Sequence, residues 1–285
     1  MITPHLQDDD LLRDISTAPA DESCFHLWWL GQSGFLIRWG GHFLLIDPYL
    51  SDSLTEKYSE TDKPHIRMTA LPVKPGRLDF IDLVSSSHNH TDHLDGDTLR
   101  PLLDANPGIE ILIPEANRDF VAERLGVDRQ GPMGLAGGES LEVAGFECSA
   151  VPAAHEEREL DENGRDSYLG YVFTFGSWSV YHSGDTVPFD GLEEALSGYS
   201  LDLAILPVNG RAAGRGVAGN LWGREAAHLS RAAGARLAIP CHYDMFSFNT
   251  ATPDEFVHHC HKLDQPYRVL RCAERWSSFE LEGSS

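Results

Sequence analysis

The chain is poor in sulfur and in positive charge, and each shortage excludes something. Its 285 residues contain 5 cysteines, Cys24, Cys148, Cys241, Cys260 and Cys272, with no C-x-x-C pair among them. An odd number of scattered thiols makes no disulfide framework; it suits reduced side chains in a reducing compartment, and none is assigned a ligand role. Basic residues number 22 against 44 acidic ones, a formal charge of −22. That field repels nucleic-acid backbones at long range and excludes a polymeric nucleic acid as partner. Small anions are not excluded, because divalent cations in a pocket dominate the local field. No stretch approaches the roughly eighteen consecutive apolar residues of a membrane span, so no membrane partner is expected. The opening MITPHLQDDDLLRDI is acidic and lacks the basic start and apolar run of a secretory signal, which points to the cytoplasm.

What the chain does have is hydrophobic periodicity over most of its length. Strands are expected at FHLWWL (25–30), GFLIRW (34–39) and HFLLID (42–47), with glycines at the turns. Residues 51–79 are polar, carry Pro64, Pro72 and Pro75, and read as a surface excursion long enough to shape a pocket mouth. A strand over FIDLVSS (80–86) runs into HNHTDHLD, then a helix near 96–103, the strand IEILIP (109–114) and a helix over 115–125. A second β-rich stretch follows, SLEVAGFECSAVPAAH, SYLGYVFTF and SWSVYHSGD. The C-terminal part then alternates: strand LDLAILPV (201–208), helix 223–233, strand LAIPCH (237–242), helix 253–263 and a closing strand YRVLRC (267–272). This is an α/β pattern, two mixed sheets with outer helices. It is read as a single domain over 1–285, with similar halves at roughly 20–130 and 131–285.

The informative segment is His88-Asn89-His90-Thr91-Asp92-His93, three imidazoles and a carboxylate in six residues past a hydrophobic strand. In extended backbone, residues two apart point the same way, so His88 and His90 can converge on one ion; as the chain turns, Asp92 and His93 swing toward a second. One loop cannot close two coordination shells that must also admit water. Further ligands are expected where later strands end, and His155, Asp185 and His242 each stand at such a point.

HNHTDH matches the H-x-H-x-D-H signature of the metallo-β-lactamase superfamily, and the later His, Asp and His occur in that superfamily's order. The chain resembles that superfamily from Trp28 to His242. The resemblance implies a four-layer αββα sandwich, with His88, His90 and His155 on a first metal, Asp92, His93 and His242 on a second, and Asp185 between them. Asp47, ending LLIDPYLSD, matches an early aspartate that supports the metal loop without being a ligand. The runs WWLGQSGFLI, IDPYLSD, LPVNGR and PCHYDMF, with the Gly219-Asn220 pair, are similar to the branch that contains L-ascorbate-6-phosphate lactonase. That similarity implies a dinuclear centre of zinc or manganese, which an all-nitrogen-and-oxygen ligand set accommodates equally.

The expected chemistry is hydrolysis by water activated between two divalent ions, with Asp92 orienting the nucleophile and accepting its proton. The favoured substrate is a small anionic molecule, the lactone of a sugar acid or of a phosphorylated sugar derivative. The alternative is a small phosphodiester; a non-catalytic scaffold and a di-iron redox centre are further readings. Asn209, Arg211 and Arg215 follow a strand and come near the expected metal rim, where a guanidinium suits a carboxylate or phosphate. Tyr49 and Tyr243 flank Asp47 and His242 and are candidates to donate to a developing oxyanion. His182 reads as a satisfied strand histidine, and His258, His259 and His261 as one helix's polar residues. A homo-oligomer is expected by resemblance alone.

Overall fold

Strand β1 (Phe25–Gly31) is buried along its whole length, and its side chains divide by parity. Phe25, Leu27 and Trp29 enter one core, and Trp28 and Leu30 enter another on the opposite face. The two-residue period of extended backbone therefore serves two apolar layers at once. The computed structural model describes residues 1–216 and 218–281.

β1 forms an antiparallel meander with β2 (Gly34–Trp39) and β3 (His42–Ile46), and β4 (Leu83–Ser85), β5 (Glu110–Pro114) and β6 (Met133–Leu135) add to β3 in parallel. In the second sheet β7 (Ser140–Val143), β8 (Phe146–Pro152), β9 (Leu169–Phe175) and β10 (Trp178–His182) are antiparallel, and β11 (Leu203–Pro207) and β12 (Leu237–Cys241) continue in parallel. With β13 (Arg275–Ser277), the strand orders are β13-β1-β2-β3-β4-β5-β6 and β12-β11-β10-β9-β8-β7.

The core between the sheets holds Phe25, Trp29 and Phe35 against Tyr171, Phe173 and Ile205. Leu11 and Ile15 of α1 (Asp8–Thr17), with residues of α3 (Gly96–Ala105) and α4 (Arg118–Leu125), cover the outer face of the first sheet. A short α2 (Ser53–Lys57) lies in the excursion after β3. Over the second sheet, Leu192 and Leu196 of α5 (Leu192–Leu196), Ala226 and Leu229 of α6 (Gly223–Ala232), and Phe256 of α7 (Asp254–Leu263) join the inter-sheet core's continuation. The result is the four-layer αββα arrangement.

Two expectations change, and one helix was not foreseen. YRVLRC is not the closing strand: Tyr267 makes one isolated bridge to Ala238, and the chain then crosses to the first sheet, where β13 pairs with β1. Pro266 brings no N–H to extend a ladder there. The strand expected over 80–86 shortens to Leu83–Ser85. The polar N-terminal segment contains α1, whose ten residues are marginal as an isolated helix. Burying Leu11 and Ile15 supplies about 1.5–3 kcal/mol each, enough to decide the matter by packing. Among the described residues no helix is long and apolar enough to cross a membrane.

Candidate metal centre

The ligand-type side chains all follow strand ends at one rim of the sandwich: His88 to His93 after β4, His155 after β8, Asp185 after β10 and His242 after β12. The loop after β4 is held from several directions. Backbone N–H groups of His93 and Leu94 donate to the His90 carbonyl, and the Ser86 hydroxyl donates to the His88 carbonyl. Arg124 of α4 donates from one Nη to the carbonyls of Asn89 (2.8 Å) and Leu94 (3.0 Å). Asp95 caps α3 and accepts from the hydroxyls of Ser51, Ser53 and Thr98, which ties the helix start to the excursion after β3.

Three groups of ligand atoms converge within 4.8 Å: His88, His90 and His155; His88, His93 and Asp185; Asp92, His93 and His242. Asp185 joins them. Its Oδ1 lies 3.3 Å from His93 Nε2, and its Oδ2 lies 3.6 Å from His155 Nε2 and 3.4 Å from His242 Nε2. Asp92 Oδ2 is 3.7 Å from His93 Nε2 and 3.6 Å from His242 Nε2. The buried atoms His88 Nε2, His93 Nε2 and Asp185 Oδ1 have no hydrogen-bond partner. Unpaired polar atoms in such a place are costly unless something else binds them, and imidazole nitrogen with carboxylate oxygen is the donor set of a divalent first-row cation. The residues fit a metal.

The far side of each ring fixes its direction. His93 Nδ1 donates to Asp47 Oδ2 at 2.6 Å, and His155 Nδ1 donates to the Gly219 carbonyl at 2.9 Å, so each turns Nε2 inward. Asp47 is fully buried; its Oδ1 accepts from Ser87 N at 2.8 Å, and its Oδ2 also accepts from the Ser87 hydroxyl. Electrostatics divide the histidines. Burial, then neighbouring His93 and His90, push His88 well below the usual imidazole value; burial also lowers His90 and His155. Burial opposes protonation of His93 and His242 too, but the Asp185 and Asp92 carboxylates overcome it, holding His93 well above 6.5 and His242 at about 9.

His90, Asp92, His155, Asp185 and His242 line a cavity of about 440 Å³. Leu54, Lys57, Tyr58 and His65 from the excursion after β3 line its mouth. Asp47 sits behind the ligands. Asn209 is fully buried, accepting from Asn220 Nδ2 at 3.0 Å and donating to Asn249 Oδ1 at 3.1 Å. Arg211 makes a two-pronged ion pair with Glu225 (2.6 and 2.7 Å), and the Arg215 guanidinium bonds the Asn209 carbonyl and Asn249. The Tyr243 hydroxyl donates to the Leu270 carbonyl, and the Tyr49 hydroxyl accepts from Leu54 N. None of these five side chains lines the cavity. His182 bonds the Ser33 carbonyl from Nε2 (2.9 Å), and His258, His259 and His261 belong to no metal-capable group among the described residues.

Two residues that sequence reasoning passed over touch the ligands. Gln32, buried with φ +50°, donates from Nε2 to Asp92 Oδ2 (2.8 Å) and lies 3.0 Å from His242 Nε2. The Tyr168 ring packs 5.2, 6.0 and 5.7 Å from the rings of His88, His90 and His155. The Gly31-Gln32-Ser33-Gly34 turn is the only local sign of the first; nothing local marks the second.

This arrangement of two sheets with a His/Asp cluster at the strand ends defines a metallo-β-lactamase-type protein. The chain matches the family described as a beta-lactamase superfamily domain over residues 42–243, and it belongs to that superfamily. Among its relatives it is 28% identical over 246 residues to a UPF0173 metal-dependent hydrolase of Rubrobacter xylanophilus, covering 82% of this chain and 88% of that one. With a UPF0173 metal-dependent hydrolase of Methanopyrus kandleri the identity is 29%, covering 85% and 94%. The fold is shared with a metallo hydrolase from Ignicoccus hospitalis (TM-score 0.65, 22% identity, 89% and 98% covered). It is shared also with an isothiocyanate hydrolase from Delia radicum gut bacteria (TM-score 0.69, 19% identity, 88% and 98% covered).

Proposed function

We propose that the chain is a metal-dependent hydrolase with a dinuclear centre of zinc or manganese, acting on the lactone of a sugar acid or a phosphorylated sugar derivative. The observation that carries this reading is the placement of Asp185, whose one carboxylate faces the His155 side and the His93 and His242 side together. His88, His90 and His155 would hold one ion and Asp92, His93 and His242 the other, with Asp185 shared. Ions held there supply Lewis acidity toward water and toward the electrophilic carbonyl.

The protein's own groups do the rest. Asp92 exposes 18% of its side chain against 4% for Asp185, so Asp92 is the carboxylate that meets water entering from the cavity. Gln32 occupies Asp92 Oδ2 and leaves Oδ1 to take the proton of the attacking water. Asp47 and Gly219 hold His93 and His155 in one tautomer and so keep both rings aimed at the cluster. The relatives named as metal-dependent hydrolases support the class of reaction.

The test is elemental analysis of the purified protein, with turnover of aldonolactones and of an aryl phosphodiester before and after chelation. Two ions per chain and chelator-sensitive lactone hydrolysis are expected. Faster phosphodiester turnover would replace the substrate reading and keep the metal reading. A protein that takes up no added metal would overturn both.

A further inference from the structure

The cavity mouth carries a feature that hydrolysis itself does not require. Tyr58 and His65 stack with ring centroids 4.2 Å apart and planes 18° apart, and Phe248 lies against His65 at 4.4 Å. Phe246 closes the row from the cavity side, 5.2 Å from His65. The Lys57 ammonium sits 5.1 Å from the Tyr58 ring centroid, at the same mouth.

Lys57 is exposed and, like Lys74 and Lys262, has no carboxylate partner among the described residues; what distinguishes it is its place on the wall of this cavity. In a chain with a formal charge of −22 a basic side chain is surrounded by possible partners. Arg67, Arg118, Arg165, Arg211 and Arg236 all pair with carboxylates. Lys57 has neither an ion pair nor a hydrogen bond to its ammonium among the described residues. The other cation lining the cavity, Arg124, donates to the carbonyls of the ligand loop and is committed there. A lysine in a helix's last turn is ordinarily explained by the helix dipole, but α2 has five residues and little dipole to complement. The ammonium shares one cavity with a cluster suited to divalent cations, which would repel it, so its position is favourable when an anion lies between them.

From this geometry we infer that the cavity selects a substrate with a flat ring and an anionic group remote from the bond that is broken. The ring lies along Tyr58, His65 and Phe246, the aromatic side chains of this row that line the cavity, and Lys57 binds the remote anion. The inference rests on the reading of this cavity as the hydrolytic site, and it replaces the loop of Arg211 and Arg215 as the seat of anion recognition.

The test measures binding, so that it stands apart from turnover. Zinc-loaded protein is titrated calorimetrically with four probes. Terephthalate and the longer biphenyl-4,4′-dicarboxylate carry a flat ring and a second carboxylate; benzoate lacks the second charge, and trans-cyclohexane-1,4-dicarboxylate lacks the flat ring. At least one flat dicarboxylate is expected to bind tighter than both controls. K57M is expected to weaken that probe by about two- to tenfold while leaving benzoate unchanged, and Y58L to erase the preference for flat over puckered rings. Equal binding of all four probes, or a K57M effect as large on benzoate as on the dicarboxylates, overturns the inference. Failure of the hydrolase reading would show separately, as intact binding selectivity without chelator-sensitive turnover of any substrate.

Discussion

Asp47 accepts hydrogen bonds from the Ser87 amide, the Ser87 hydroxyl and His93 Nδ1 in a position closed to solvent. Replacing it with alanine removes the carboxylate that three buried donors share and frees the His93 ring to turn. Asp47→Ala is expected to weaken zinc affinity by about 10–100-fold, measured by competition with a chromophoric chelator. An unchanged affinity would reduce Asp47 to a residue of the fold alone. Asp47 was legible only through the family resemblance, since the histidine loop it supports begins 41 residues further on. Gln32 was not, since its partners lie 60 and 210 residues away. Arg211 was visible as a cation near the rim, but nothing local shows that Glu225 already holds it.

The turn between β10 and Asp185 shows how elements aim a ligand. Gly184 has φ +58°, and a Cβ there would lie 2.6 Å from Ser87 Cβ and 2.8 Å from the Leu169 carbonyl. A side chain would strain the turn and push on Ser87, the residue that links Asp47 to the ligand loop. Gly184→Ala is expected to cost at least about 1 kcal/mol in denaturant unfolding of the metal-free protein. It should also lower the metal content of purified protein. Reduced stability with full metal content would confine the contact to folding. The strands that present ligands were readable from periodicity, whereas α1, α5, β6 and β13 were not. Those elements are short or polar and exist because neighbours bury one or two of their side chains, as with Trp276 of β13.

Metal binding and folding are coupled across the whole chain through the histidines. In the metal-free protein His88, His90 and His155 titrate below 6.5, so each favours the folded state less as pH falls through 6.5 and unfolded histidines take up protons. His93 and His242 titrate above 6.5. Their contribution is complete below 6.5 and is lost as pH rises through the folded value, about 9 for His242. Asp92 and Asp185, held below the ordinary 3.8, change only in stronger acid. Metal-free protein should therefore melt highest close to pH 6.5 and lower on either side, in scans from about pH 5.5 to 9. Bound metal displaces the protons of His93 and His242, and the alkaline decline should vanish on loading. An alkaline decline that survives loading would mean those two rings are not ligands.

The four residues His88, His90, Asp92 and His93 could be read as a metal site from the chain alone, because density and strand context are local properties. So could two mixed sheets with outer helices, since alternating strands and helices record which faces are buried; the four-layer order came with the family resemblance. Which carboxylate holds Arg211, which amide touches Asp92 and which ring covers three histidines are settled by contacts between segments far apart in the chain. Those contacts depend on how two sheets stack and where loops from both meet, and local periodicity carries no information about that distance.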